Sequence, residues 1–170
     1  NIHRRDSLQR TYLHYACYSG NMKIVMALVE MHAEVDAIDY KQESPLCFAF
    51  LYGHIEVASV LLERGANIDM ADKNGFTSLH KACDPRHPHP YVFKTLLDRG
   101  ASLDARTNDL QTPLHILSSV GCLEHVIDII DRGADINARD GYSRTPLHDA
   151  CLRGLKGVAI AMTLIDKGAN

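Results

Sequence analysis

T-P-L-H-D-A, residues Thr145 to Ala150, is the stretch from which the fold can be read, because the chain repeats it with variations. The other versions are TYLHYA from Thr11, SPLCFA from Ser44, TSLHKA from Thr77 and TPLHIL from Thr112, so successive copies lie 33, 33, 35 and 33 residues apart. A second phrase follows each first one by 21 to 23 residues: HAEVDA from His32, GANIDM from Gly65, GASLDA from Gly100, GADINA from Gly133 and a bare GAN from Gly168. A fixed period with two phrases in phase marks a stacked repeat array, in which each unit buries its apolar face on its neighbours.

One unit, Asp39 to Ala71, shows how the pattern folds. Asp39-Tyr40-Lys41-Gln42 is a polar turn. Ser44 is a good N-cap, and Pro45 suits the first helical position because the missing N–H has no partner there. Leu46, Ala49 and Phe50 recur at helical spacing, so the pattern predicts a short helix to about Tyr52, stopped by Gly53. A second helix starts near Ile55, carries Val57, Val60, Leu61 and Leu62, and ends at Gly65, which adopts the left-handed conformation readily. Asn67-Ile68-Asp69 leads out in extended form. Helices this short are marginal alone and need tertiary burial. Three rows supply it: Leu13, Leu46, Leu79, Leu114 and Leu147; Leu28, Leu61, Leu96, Ile129 and Leu164; and the small residues Ala16, Ala49, Ala82 and Ala150, where Leu117 is the exception.

T-P-L-H-x-A at this period resembles the ankyrin repeat. Thr112 to His115 and Thr145 to His148 match in full, and Thr11 to His14 and Thr77 to His80 match at three of four positions. The resemblance covers essentially the whole chain. It implies a mostly α solenoid, one domain over 1–170 built of helix-turn-helix repeats at about 6–38, 39–71, 72–106, 107–139 and a truncated 140–170, joined by extended loops or hairpin-like turns. It also implies that His14, His80, His115 and His148 tie repeat loops together through hydrogen bonds. For function it implies a protein-recognition scaffold that binds on its concave side.

Bulk composition narrows the classes. With 18 Lys plus Arg against 21 Asp plus Glu and a formal net charge of −3, there is no basic excess for a nucleic-acid or acidic-membrane surface. No window reaches the roughly 18 apolar residues of a transmembrane helix. Five cysteines, Cys17, Cys47, Cys83, Cys122 and Cys151, with no CxxC, fit a reducing compartment, cytoplasmic or nuclear. Cys17, Cys83 and Cys151 share one repeat position, read as a small core residue. The start at Asn1 and the stop at Asn170 read as those of a fragment, monomeric as such.

Several departures mark places where this chain differs from the pattern. His32 stands for Gly, Cys47 for the motif His, Thr107 for Asp, and His125 for a buried aliphatic residue. Leu79 to Leu96 and Leu147 to Leu164 span 17 residues against 15 elsewhere. The extra residues fall in Asp84 to Pro90, three prolines in seven residues, and in Arg153 to Gly157. The first segment cannot continue a helix and is predicted to protrude, dispensably.

No constellation for catalysis emerges: nothing resembles a nucleophile elbow, a phosphate loop or H-E-x-x-H. The chain therefore reads as a non-enzyme with no cofactor. Cys83, His87 and His89 are the best metal candidates by ligand type, but their spacing matches no common zinc site, and no metal is assigned. Asn137, in Asp135-Ile136-Asn137, resembles the asparaginyl-hydroxylation target of some ankyrin domains. A turn-stabilising asparagine explains it equally.

Tyr40, Phe76 and Tyr142 sit at loop tips, and Tyr18 and Tyr52 near the ends of first helices, where the scaffold needs no large side chain. Lys41, Lys73, Arg86, Arg144 and Arg153 accompany them. Tyr and Arg are favoured at binding hot spots. These ten residues form the expected partner-binding surface, centred on Tyr40, Tyr52, Lys73 and Phe76. The expected function is an adaptor or scaffold binding a protein or peptide, with no nucleic acid and no membrane insertion. The alternative is a regulatory segment that docks on an enzyme or channel domain of its own parent chain.

Overall fold

The computed structural model describes residues 2–87 and 89–170, and among them it is all helical. Ten α-helices follow one another in pairs: α1 (Tyr12–Ser19) and α2 (Met22–Glu30), α3 (Pro45–Leu51) and α4 (Ile55–Glu63), α5 (Ser78–Ala82) and α6 (Tyr91–Asp98), α7 (Pro113–Val120) and α8 (Leu123–Asp131), α9 (Pro146–Leu152) and α10 (Val158–Asp166). A single 3-10 turn, Gly154–Gly157, precedes α10. The first helix of each pair packs on the first helix of the next, and α2 packs on α4 as α8 does on α10. The result is a two-layered helical solenoid.

The motif residues build each helix start. In α1, the Thr11 N–H donates to His14 Nδ1 at 3.1 Å, and the same pair recurs at Thr77/His80, Thr112/His115 and Thr145/His148 with 3.1–3.2 Å. Ser44 does it more simply, its Oγ accepting from Cys47 N–H at 3.2 Å. Because Nδ1 accepts, the ring proton sits on Nε2. It is spent on the next unit: His14 reaches the carbonyl of Glu43 at 3.0 Å, His80 that of Gln111 at 3.2 Å, and His115 that of Arg144 at 3.0 Å. Burial holds the His14 and His80 pKa values below the ordinary 6.5, which keeps the neutral ring this double duty requires.

A second ladder joins the lead-out loops. Asp36 accepts from Asn67 N–H at 3.0 Å, Asp69 from Ser102 N–H at 2.8 Å, and Asp104 from Asp135 N–H at 2.9 Å. A third crosses the ends of the first helices. His54 Nε2 meets the Tyr18 carbonyl at 3.1 Å, Tyr91 Oη donates to the Gly53 carbonyl at 3.1 Å, and Arg153 donates to the Ser119 carbonyl. Gly53, at φ 74°, has no side chain because the His89 ring occupies that space: a Cβ there would stand 2.5 Å from the ring.

The core follows the expected rows. Leu28, Leu61, Leu96, Ile129 and Leu164 are 9% exposed or less, and Ala16, Ala49, Ala82 and Ala150 are 4% or less. Leu13, Leu46, Leu79 and Leu114 are buried, but Leu147 is only half-buried. Cys17 and Cys83 are buried, whereas Cys151, expected to match them, is exposed. Both differences share one cause: among the described residues no helix pair covers that side of α9. His125 is half-buried with its ring stacked on Phe93, centroids 4.0 Å apart. The Asp84–Pro90 segment differs from the free protrusion that its prolines suggest. Pro88 lies outside the described residues. Arg86 points into solvent, but His89 and Tyr91 tie back onto Gly53.

Candidate functional site

The loop tips form a bonded row. Tyr40 N–H donates to the Leu8 carbonyl, Lys73 N–H to Lys41, Asn108 N–H to Asn74 and Gly141 N–H to Asp109, all at 2.8–3.0 Å. Each tip is closed from within as well. Asp39 Oδ1 accepts from the N–H groups of Lys41 and Glu43, Asp72 Oδ1 from Asn74 and Phe76, and Asp140 Oδ1 from Tyr142 and Arg144. Side chains at equivalent tip positions are therefore held side by side.

The ten expected binding residues fall into separate groups. Tyr40 is 48% exposed, with Lys41 Nζ 5.6 Å from its ring centroid, and the Lys73 tip is bonded directly beside them. Tyr18 and Tyr52 meet ring to ring at 4.5 Å on the ends of α1 and α3, and Tyr52 also lies 6.3 Å from Phe48. Phe76 is half-buried and packs edge-on against His80, with ring centroids 5.7 Å apart. Tyr142 is 75% exposed beneath the Arg144 guanidinium, which two bonds of 2.8 and 3.0 Å fix to Asp140. Arg153 is used on the Ser119 carbonyl over Gly121. Asn137 accepts from Asn170 N–H at 3.1 Å and so continues the Asp36, Asp69, Asp104 ladder.

A groove of about 440 Å³ opens across the first-helix layer. Leu51 of α3, Phe76 and Lys81 of the α5 unit, and Ile116 and Val120 of α7 make its walls. The segment after α5 contributes Asp84, Arg86 and His87. Arg86 is clamped to Asp84 through 2.7 and 3.0 Å bonds while its side chain stays 89% exposed. Phe76 and Arg86 thus share one hollow.

Sequence reasoning missed what lies beneath the groove. Lys81 reaches Glu43 at 2.5 Å and Asp72 at 3.0 Å, and its Nζ is 3.7 Å from Cys47 Sγ. All three charged side chains are 13–18% exposed. Cys47 replaces the motif histidine and is too short to bridge to the next unit. Lys81, in the variable slot of TSLHKA, bridges the same junction from the other side. Burial pulls the Lys81 pKa down, but Cys47, Glu43 and Asp72 outweigh it and hold the amine well above its ordinary value. Burial likewise pushes Asp72 up, yet hydrogen bonds from Lys81 and the Phe76 N–H leave it below its ordinary 3.8. The paired departures, Cys for His and Lys one unit later, were the available signal.

The metal candidates do not converge. Cys83 Sγ donates to the Leu79 carbonyl inside the core, His89 lies on Gly53, and His87 Nδ1 accepts from the His89 N–H at 3.2 Å. Among the described residues no group of His, Cys, Asp and Glu could hold a metal ion, and no helix is long and apolar enough to cross a membrane.

Comparison with known proteins agrees with this architecture. The family model described as ankyrin repeats (3 copies) matches residues 1–72 and 64–140. The human B-cell lymphoma 3 protein is 33% identical over 131 residues, 72% of this chain and 28% of that protein. The ankyrin repeat protein nuc-2 of Neurospora crassa is 29% identical over 128 residues, 75% of this chain and 12% of its own length. The E3 ubiquitin-protein ligase KEG of Arabidopsis thaliana is 33% identical over 105 residues, 61% of this chain and 6% of that protein. The chain thus spans at most 28% of the length of these relatives.

Proposed function

This chain belongs to the ankyrin-repeat family, and we propose that it is an adaptor whose five repeats, 6–38, 39–71, 72–106, 107–139 and 140–170, present one face to a partner protein or peptide. Ankyrin repeats are protein–protein interaction modules. The finer reading places the partner on the concave side, along the loop tips and the ends of the first helices. The observation that carries it is the groove of about 440 Å³ lined by Leu51, Phe76, Lys81, Arg86, Ile116 and Val120. An apolar hollow next to aromatic and cationic side chains suits a peptide that is partly apolar and partly acidic. Tyr18, Tyr142, Arg144 and Arg153 extend the face, the two arginines as fixed rather than adaptable contacts. The chain acts as a monomer, in the cytoplasm or nucleus, without chemistry of its own. Asn137 is a modification site only if an enzyme displaces its bond to Asn170.

The test is a displayed-peptide selection against the purified chain, followed by calorimetry. Replacing Tyr40 and Phe76 by Ala should weaken the selected peptides by about 2 kcal/mol in total. Replacing Glu63 and Arg64, at the far end of α4, should change nothing. The reverse pattern would place the partner on the other face. The alternative of docking on a parent enzyme draws support from relatives whose names denote enzymes, the ligase KEG and the tyrosine-protein kinase HTK16 of Hydra vulgaris. Selected peptides that match only the chain's own parent would favour it.

A further inference from the structure

The junctions between units are not fastened alike. At three of the four, a side chain of the following unit lies over the turn that ends the first helix. His54 Nε2 meets the Tyr18 carbonyl at 3.1 Å with its ring against Gly20, and Tyr91 Oη donates to the Gly53 carbonyl at 3.1 Å with the His89 ring against Gly53. Arg153 donates to the Ser119 carbonyl with its guanidinium over Gly121. Between the third and fourth units the counterpart of His54 is Cys122, and among the described residues no hydrogen bond or ion pair crosses at that end. The same end is thinly built. α5 has five residues where the other first helices have seven or eight. In the second-helix layer, the position of Val57 and Val92, at most 2% exposed, is taken by half-buried His125, whose ring stacks on Phe93 and whose buried Nδ1 has no partner among the described residues. The groove of about 440 Å³ lies across this junction, with Phe76, Lys81 and Arg86 on one side and Ile116 and Val120 on the other.

The opposite end of the same junction is held firmly. Asn108 N–H donates to the Asn74 carbonyl and Asn108 Nδ2 to the Lys73 carbonyl, both at 3.0 Å. Gly75, at φ 82°, lets the two tips approach so closely that a Cβ there would stand 2.6 Å from the Asn108 nitrogen. His80 reaches the Gln111 carbonyl at 3.2 Å, Asp104 accepts from Asp135 N–H at 2.9 Å, and Arg132 pairs with Asp98 at 2.7 Å.

We infer that the junction between the third and fourth units is a hinge. The first three units and the last two form two blocks that pivot on the loop tips and lead-outs and part at the ends of α5 and α7. At the other junctions both ends are fastened, so bending there breaks a hydrogen bond and lifts a side chain off a glycine. Bending here does neither. Closed packing leaves the His125 nitrogen without a partner, and opening gives it water. The groove has walls in both blocks, so it widens as they part and narrows as they close. That a partner seated in the groove fixes one angle rests on the proposed function; the hinge itself belongs to the free chain.

Distances in the free chain test it. A ketone-bearing amino acid placed at pairs of exposed positions carries spin labels and leaves all five cysteines in place. Lys23 with Glu124 spans the hinge on the side of the helix turns, Lys23 with Lys94 lies within the first block on that side, and Lys41 with Asp109 spans the hinge at the tips. Each labelled protein must keep the helical spectrum and melting midpoint of the parent. Double electron–electron resonance should give the first pair a distance distribution at least twice as wide as that of either other pair. A first pair no wider than the second would overturn the inference, because the stack would then be rigid through this junction. A third pair as wide as the first would overturn it too, because the blocks would then separate without a pivot.

Discussion

Replacing Lys81 by Met tests whether an ion cluster does at one junction what histidine does at the others. The amine contacts Glu43 at 2.5 Å and Asp72 at 3.0 Å, with all three side chains 13–18% exposed. Methionine keeps the stem but leaves two carboxylates facing each other in a poorly solvated space. Removing one partner of a fully buried ion pair costs about 3–5 kcal/mol. With the residual exposure here, the low end applies, about 3 kcal/mol. Urea denaturation at pH 7 measures it, and the array's coupling between neighbours should carry the loss into the flanking units. The pH dependence sharpens the test. In the parent chain, Asp72 lies below its ordinary 3.8, so its contribution is present above that value and is lost as pH falls through the folded pKa. Lys81 lies above its ordinary 10.5, so its contribution is full below that value and fades only as pH rises past it. Without Lys81, Asp72 keeps its bonds from the Asn74 and Phe76 N–H groups but loses its strongest lowering contact, so its pKa rises and protonation relieves the variant. The gap between parent and variant should therefore narrow from pH 7 toward pH 4, and adding Glu43→Gln and Asp72→Asn should recover most of the loss at pH 7. A cost below about 0.5 kcal/mol, or one that is constant from pH 7 to 4, would refute the reasoning.

Leu114, fully buried, should cost about 2–5 kcal/mol on replacement by Ala, read by the same denaturation. Leu110 holds φ 59° while 46% exposed, so Leu110→Gly should raise stability by about 1 kcal/mol, checked by the melting midpoint. His14 and His80 have folded pKa values below 6.5, so their contribution is complete above 6.5 and declines as pH falls below it; a stability profile flat from pH 7 to 5 in the Lys81→Met, Glu43→Gln, Asp72→Asn background would contradict the shared-proton arrangement. In native protein, thiol titration should find Cys151 reacting first, Cys122 more slowly, and Cys17, Cys47 and Cys83 only on unfolding, with no disulfide among Cys17, Cys83 and Cys151.

The period and its two phrases determined the architecture, because each phrase encodes a local physical device. Thr and Ser cap, Pro starts a helix, Gly ends one, and leucines recur where neighbouring units meet. Local devices are legible in a linear string, so the helix pairs, the buried rows and the structural histidines were all readable from the residues. Contacts between units were not. Tyr18 against Tyr52, His89 on Gly53, Arg153 on the Ser119 carbonyl and Lys81 on Glu43 join residues 34 to 38 positions apart. Their partners depend on the stacking offset and on which rotamer reaches across. The same limit governed the expected binding face. The sequence placed Tyr40 and Phe76 in neighbouring tips, but only packing turned the Phe76 ring toward His80 and left Tyr40 beside Lys41. Repetition tells each residue which row it belongs to; whether that row is sealed, as at Cys83, or open, as at Cys151, depends on what packs against it, and that is a property of the stack alone.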